Sequence, residues 1–270
     1  MLNHTSQARQ SGHAPVNGLH MYYEVHGPET GIPLVLIHGG GSTIESTFGK
    51  ILPIFAASRP VIALEEQAHG RTSDREGPET FEGSADDVAA LLKFLAVEEA
   101  DILGFSAGAV IALQVAIRHP QQIRKLIFAS SMIRRAGLPA QFWEFMKGAD
   151  ISNMPQPLKD AFLRVNPDEA QLKVMHDKDA ARMNKFADIP DALVTSMQAP
   201  TLIVLGDQDI VNPEHALEMA QLLPNARLLI VPGGHGDYLG DIAASTQATN
   251  YPQLVAGMIE EFLEMSSTSE

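Results

Sequence analysis

The chain has 270 residues, 45% of them hydrophobic and 19% charged, a size and composition that fit one compact α/β domain with an inserted segment rather than two equal domains. Its formal net charge of -14, with no basic stretch to offset it, argues against nucleic-acid or anionic-membrane partners and leaves small neutral substrates. Cysteine is absent, which excludes disulfides, thiolate catalysis and cysteine-ligated zinc.

In chain order, residues 1–18 (MLNHTSQARQSGHAPVNG) are polar and lack an apolar core of signal-peptide length, so they read as a flexible tail. No apolar run approaches the roughly 20 residues of a membrane span, and the expectation is a soluble, cytoplasmic protein. Residues 19–25 (LHMYYEV) alternate as an antiparallel edge strand would. Continuously apolar, β-branched runs follow at 33–37, 61–64, 102–105, 125–128, 201–205 and 227–231. Their lack of alternation predicts strands inside a parallel sheet covered on both faces. Helical patterns lie between them at 83–96, at 107–118 (ended by His119-Pro120), at 213–223 and at 252–265, the last two each opened by a proline. The tail SSTSE reads as loose. From 131 to 190 the strand and helix rhythm stops. Helix-compatible pieces and scattered prolines take over, too long for a connection without structure of its own. The expected organisation is a core formed by residues 19–130 and 191–266, with a helical cap at 131–190 inserted after the sixth strand.

The chemistry starts at Gly104-Phe105-Ser106-Ala107-Gly108, a G-x-S-x-G spacing between a predicted strand and a predicted helix. A sharp strand-to-helix turn there would present Ser106 as a nucleophile, and the two glycines would let strand and helix approach. The plainer alternative is a packing glycine pair with an incidental serine. A serine nucleophile needs a base and donors for its oxyanion. The glycine loop in LIHGGGST supplies a donor at Gly40, with the Ala107 amide as the second; neither a P-loop lysine nor the G-x-G-x-x-G spacing accompanies it, which speaks against phosphate binding. Two carboxylates, Asp207 and Asp209, follow the strand at 201–205, and either could orient a histidine while the other shapes the turn. The loop after 125–128 reads Ala129-Ser130-Ser131 and offers no carboxylate. His235, in VPGGHGDYLGD, comes after nucleophile and acid in the order the chemistry needs; His38, His69 and His119 are poorer candidates for the base. No H-E-x-x-H or compact multi-ligand pattern occurs, so neither metal nor cofactor is expected.

Together the H-G-G-G loop, the G-x-S-x-G elbow and the late G-H resemble the α/β-hydrolase superfamily, in particular its small cofactor-free serine hydrolases with a helical cap. The likeness spans nearly the whole chain apart from the N-terminal tail. It implies a mostly parallel central sheet flanked by helices, with Ser106 as nucleophile, His235 as base, Gly40 and Ala107 as oxyanion hole, and Asp209, the second aspartate of G-D-x-D, as triad acid. The chain departs from the family's D-x-x-G-x-G-x-S pattern at residues 65–72, which read EEQAHGRT. A serine at the elbow argues against epoxide hydrolysis and haloalkane dehalogenation, which form an ester on a carboxylate.

Substrate choice is expected to reside in the cap, whose Phe142, Trp143, Phe145, Met146, Met154, Phe162, Met175, Met183 and Phe186 supply aromatic and flexible apolar surface. Gly39, Phe105, Phe142, Trp143 and Met146 are the candidate substrate contacts. The expected activity is hydrolysis of a small, largely apolar carboxylic ester. The same groups serve lactone or carbon-carbon bond hydrolysis, and the fold also serves small-molecule receptors with slow or no turnover.

Overall fold

The computed structural model describes residues 8–244 and 249–266. Its eight-stranded sheet has the order β1-β2-β4-β3-β5-β6-β7-β8. The strands are β1 (Gln10–Val16), β2 (Leu19–His26), β3 (Leu34–Ile37), β4 (Val61–Leu64), β5 (Ala100–Phe105), β6 (Ile123–Ala129), β7 (Thr201–Gly206) and β8 (Ala226–Val231). β1, β2 and β4 pair antiparallel, whereas β4, β3, β5, β6, β7 and β8 are parallel. The helices are α1 (Ile44–Phe48), α2 (Leu52–Phe55), α3 (Phe81–Phe94), α4 (Ala107–Arg118), α5 (Ala140–Lys147), α6 (Gln156–Val165), α7 (Glu169–Asn184), α8 (Asp191–Ser196), α9 (Pro213–Leu222) and α10 (Tyr251–Glu264).

Alternation along each parallel strand builds two separate cores. Val35, Ile37, Ile102, Leu126 and Ile203 point to the face covered by α3, α4 and α9. Leu34, Leu36, Leu103, Ile127 and Val204 point to the face covered by α1, α2 and α10. This two-sided burial is why the central runs read as continuously apolar. β8 departs from that expectation. It is the last strand of the sheet, and Ile230 is 43% exposed.

The expected tail of residues 1–18 requires correction. Gln10–Val16 is a strand paired along its length with β2, burying Ala14 and Val16, so β2 is an interior strand rather than an edge. The sequence signal was Asn17-Gly18: both take positive φ (48° and 84°), the conformation a two-residue hairpin requires, and Asn-Gly is the dipeptide that adopts it most readily. Residues 1–7 and 267–270 lie outside the described residues, and with them most of SSTSE. α3 begins at Phe81, ahead of the predicted 83, because the Thr80 side chain accepts from Gly83 N–H and caps the helix.

Between β6 and β7 the described chain carries helices and no strand. α6 and α7 pack Met154, Leu158, Phe162, Leu172 and Met175 into a third small core, against Ala68 of the sheet domain. This cap lies over the carboxyl ends of the parallel strands, where its helices meet the glycine loop after β3. Among the described residues no helix is long and apolar enough to cross a membrane.

Candidate active site

Ser106 stands between β5 and α4 with φ 55° and ψ -120°, a backbone conformation that costs a non-glycine residue of order 1–3 kcal/mol and that must be enforced by its surroundings. The enforcement is visible in the flanking glycines. A Cβ on Gly104 would lie 2.2 Å from the Gly108 carbonyl oxygen, and a Cβ on Gly108 would lie 2.3 Å from the carbonyl oxygens of Ile37 and His38. Strand and helix are therefore packed backbone to backbone, and the serine is pushed out at the turn.

Asp209 and His235 come from the loops after β7 and β8, and His235 Nδ1 is 2.8 Å from Asp209 Oδ1. With Nδ1 engaged by the carboxylate, Nε2 is the nitrogen left for proton exchange. The His235 ring packs on Phe105, with centroids 4.8 Å apart, and shares with Ser106 a cavity of about 40 Å³ that Ala107, Ser130, Met132, Phe142, Met183 and Val211 also line. Asp207 turns the other way and accepts from Gly233 N–H at 2.8 Å, so it shapes the loop that carries the histidine.

Asp209 is held on every side. Its side chain is fully buried; Oδ1 also accepts from Val211 N–H at 3.2 Å, and Oδ2 accepts from Gly206 N–H at 3.4 Å and from the Ser130 hydroxyl. Burial pushes its pKa up, but the His235, Ser130 and Val211 bonds outweigh it and leave the carboxyl below the ordinary aspartate value. Ser130 is itself 2.7 Å from the phenol of Tyr238, whose OH also lies 3.3 Å from the Val204 carbonyl. Burial and the nearby Asp209 charge keep that phenol protonated. Sequence reasoning passed over Ser130 because it sought a carboxylate there.

Gly39 abuts the elbow: a Cβ there would lie 3.2 Å from Ser106 Cβ and from the Phe105 ring. Neither the Gly40 amide nor the Ala107 amide donates a hydrogen bond to the described residues. The next amide, Gly41 N, lies 3.2 Å from His69 Nε2. His38 under the loop is fully buried. Its Nδ1 engages the Gly39 carbonyl and its Nε2 accepts from Glu66 N–H, while burial and the neighbouring His69 lower its pKa to about 4, so it is a neutral structural strut.

Of the expected substrate contacts, Phe142 lines the Ser106 cavity, and Met146 lines a second chamber of about 160 Å³ between the glycine loop and the cap. Met183 borders both spaces. Trp143 lines neither: its ring stacks on Phe186, its indole N–H donates to the Arg135 carbonyl at 2.8 Å, and the Arg135 guanidinium covers its face at 3.7 Å. The expectation for Trp143 is thus corrected to a packing role, since its polar edge needed a buried acceptor. Phe105 likewise lies beneath His235 rather than along either chamber.

The departure at residues 65–72 joins core to cap. Glu66 and Glu79 hold Arg182 of α7 at 2.6 and 2.8 Å, and Arg182 reaches Asp179 one turn earlier at 2.5 Å. His69 lies beneath, with Nε2 3.7 Å from Asp179 Oδ2. A neutral His69 would accept the Gly41 amide at Nε2; a charged one offers that position to Asp179. Burial opposes the charge, yet Asp179, Glu66 and Glu79 outweigh burial and raise the His69 pKa to about 9.

A mostly parallel sheet with a helical cap, a half-buried serine elbow and a histidine-aspartate pair at the strand ends define a protein of the α/β-hydrolase type. The model of the Alpha/beta hydrolase family matches residues 34–243, and the chain belongs to that family. It is 28% identical over 265 residues to a pimeloyl-[acyl-carrier protein] methyl ester esterase of Neisseria meningitidis, covering 87% of this chain and 80% of the relative. Among solved structures, a hydrolase from Pseudomonas aeruginosa PA01 superposes with a TM-score of 0.75 at 24% identity, covering 96% of this chain and all (100%) of that one. The enol-lactonase from Burkholderia xenovorans LB400 superposes with a TM-score of 0.73 at 19% identity, covering 94% and 100%. These relatives support a hydrolase; the structural likenesses establish the fold.

Proposed function

We propose that the protein is a serine hydrolase that cleaves a small, largely apolar carboxylic ester through Ser106, His235 and Asp209. The observation that carries this reading is the His235–Asp209 bond of 2.8 Å, with His235 lining the same cavity as the strained Ser106. Ser106 Oγ attacks the carbonyl carbon while its proton passes to His235 Nε2, and Asp209 stabilises the resulting imidazolium. The Gly40 and Ala107 amides, free of other acceptors among the described residues, donate to the oxyanion, each worth about 3 kcal/mol of transition-state stabilisation. The alcohol leaves with the proton from His235. Water then attacks the acyl-enzyme, gives its proton to the same nitrogen, and the acid departs as Ser106 is restored.

The cavity at the serine is smaller than the cap chamber, and the chamber is walled largely by Phe145, Met146, Met154, Leu158 and Met183. That apolar wall favours an acyl or alkyl group reaching under the cap. The relative that acts on a methyl ester supports the ester reading over other acyl substrates. The test is steady-state hydrolysis of p-nitrophenyl esters of increasing chain length by wild type and Ser106→Ala. Turnover abolished by the substitution is the expected result; turnover retained in the purified variant overturns the assignment.

A further inference from the structure

The cap chamber has a mostly apolar wall interrupted by Asp150, Asn153, His176 and Asp179, and of these Asp179 stands against the glycine loop. Asp179, on α7, is buried to 9% exposure and lies over the Cα of Gly40, so that a Cβ added to that glycine would meet Oδ2 at 2.4 Å. The carboxylate lines the chamber together with Gly40, Gly41, Met146 and Met183. Its Oδ1 is taken by Arg182 at 2.5 Å, while Oδ2 faces His69 Nε2 at the longer distance of 3.7 Å, which leaves acceptor capacity on that oxygen. Arg182 is shared with Glu66 and Glu79, so its single charge is divided among three carboxylates, and Asp179 stays ionised at the chamber wall. An aspartate in an apolar substrate chamber is costly unless its remaining acceptor capacity is used.

We infer that Asp179 is a specificity-determining residue whose Oδ2 accepts a hydrogen bond from a hydroxyl or N–H group on the substrate's acyl portion, and which rejects acyl groups bearing a carboxylate. This inference rests on the serine-hydrolase reading of the same site. Gly40 carries both the proposed oxyanion amide and the Cα beneath Asp179, so the donor belongs two or three bonds from the scissile carbonyl. A 3-hydroxyacyl ester or lactone has that arrangement. An anion placed there would face Asp179, in a chamber whose wall also carries Asp150 and His176. The chain's net charge of -14 adds long-range discouragement of anionic substrates.

The experiment compares kcat/KM for three p-nitrophenyl esters, of hexanoate, 3-hydroxyhexanoate and glutarate (as the half-ester anion), with wild type and Asp179→Asn. Wild type should favour the hydroxylated over the plain ester by at least tenfold, the size of a hydrogen bond to a charged acceptor. It should disfavour the glutarate half-ester by a similar factor. Asp179→Asn should bring both ratios toward unity, with the change in the first ratio mainly in KM. The wild-type ratios stand on their own if the variant fails to fold. Equal use of the three esters by wild type, or ratios unmoved in a folded Asp179→Asn, overturns the inference while leaving the hydrolase intact. Hydrolysis of none of them, nor of the simple ester series, overturns the hydrolase reading and this inference with it.

Discussion

Ser130 donates its hydroxyl to the side of the Asp209 carboxylate that His235 does not use, from the end of the neighbouring strand β6. Ser130 also takes a positive φ of 50°, so its backbone is bent to deliver that hydroxyl. Ser130→Ala should lower kcat/KM by about tenfold, since a hydrogen bond to a charged group is worth about 1.5–3 kcal/mol and the His235 bond persists. The acid limb of the pH–rate profile should move upward as Asp209 loses a donor. An unchanged profile with a lowered Tm would assign Ser130 to packing alone.

Met183 separates the serine cavity from the cap chamber, being part of both linings. Met183→Ala should join the two spaces and shift the chain-length optimum in the p-nitrophenyl series toward longer acyl groups. A stability loss of about 2 kcal/mol accompanies truncation of a partly buried methionine. An optimum that stays put would show that acyl chains leave the serine by another route.

Arg182 is clamped between Glu66 and Glu79 of the core and Asp179 of its own helix, with its side chain 1% exposed. Arg182→Met would leave three carboxylates facing one another in a buried space. The expected cost is about 3–5 kcal/mol, which for a chain of this size is a fall in Tm of roughly 10 °C. Thermal unfolding followed by circular dichroism measures it, and a change below about 2 °C would contradict the account of the junction.

His69 gives the junction a pH dependence of definite sign. Its folded-state pKa, raised to about 9 against an ordinary value near 6.5, means that the native state holds the proton more tightly than the unfolded chain. The stability from this group is complete below about pH 6.5 and is lost as pH rises through about 9. Tm should therefore decline over that window, and less steeply in Asp179→Asn, which loses the carboxylate nearest to Nε2. Parallel declines in the two proteins would refute the pairing.

The parts legible in the sequence were those spelled locally. G-x-S-x-G, the glycine loop and the late G-H each place a functional atom within a few residues of the turn that presents it, and the parallel strands announce themselves as apolar runs because both faces are covered. Asp209 and Asp207 could not be told apart by spelling alone; the fold separates them by sending one to His235 and the other to Gly233. Less legible were contacts between distant segments. Asp179 and Arg182 sit on a helix whose pattern is mostly polar, and their partners Glu66, His69 and Glu79 lie about a hundred residues away. β1 escaped notice because only Ala14 and Val16 mark its inner face, although Asn17-Gly18 announces the hairpin. Trp143 showed the opposite failure: a large aromatic in a cap invites a ligand role, and the fold spends it on Arg135 and Phe186.

The contact of Ser130 with Tyr238 spans 108 positions of chain, from the end of β6 to the loop beyond β8. Nothing local can bring those two hydroxyls together. The intervening cap, β7 and α9 must fold and β8 must add to the sheet first, and such non-local closures are slow. During refolding, helical signal should return well before catalysis does, so regained turnover reports the closing of the last strand.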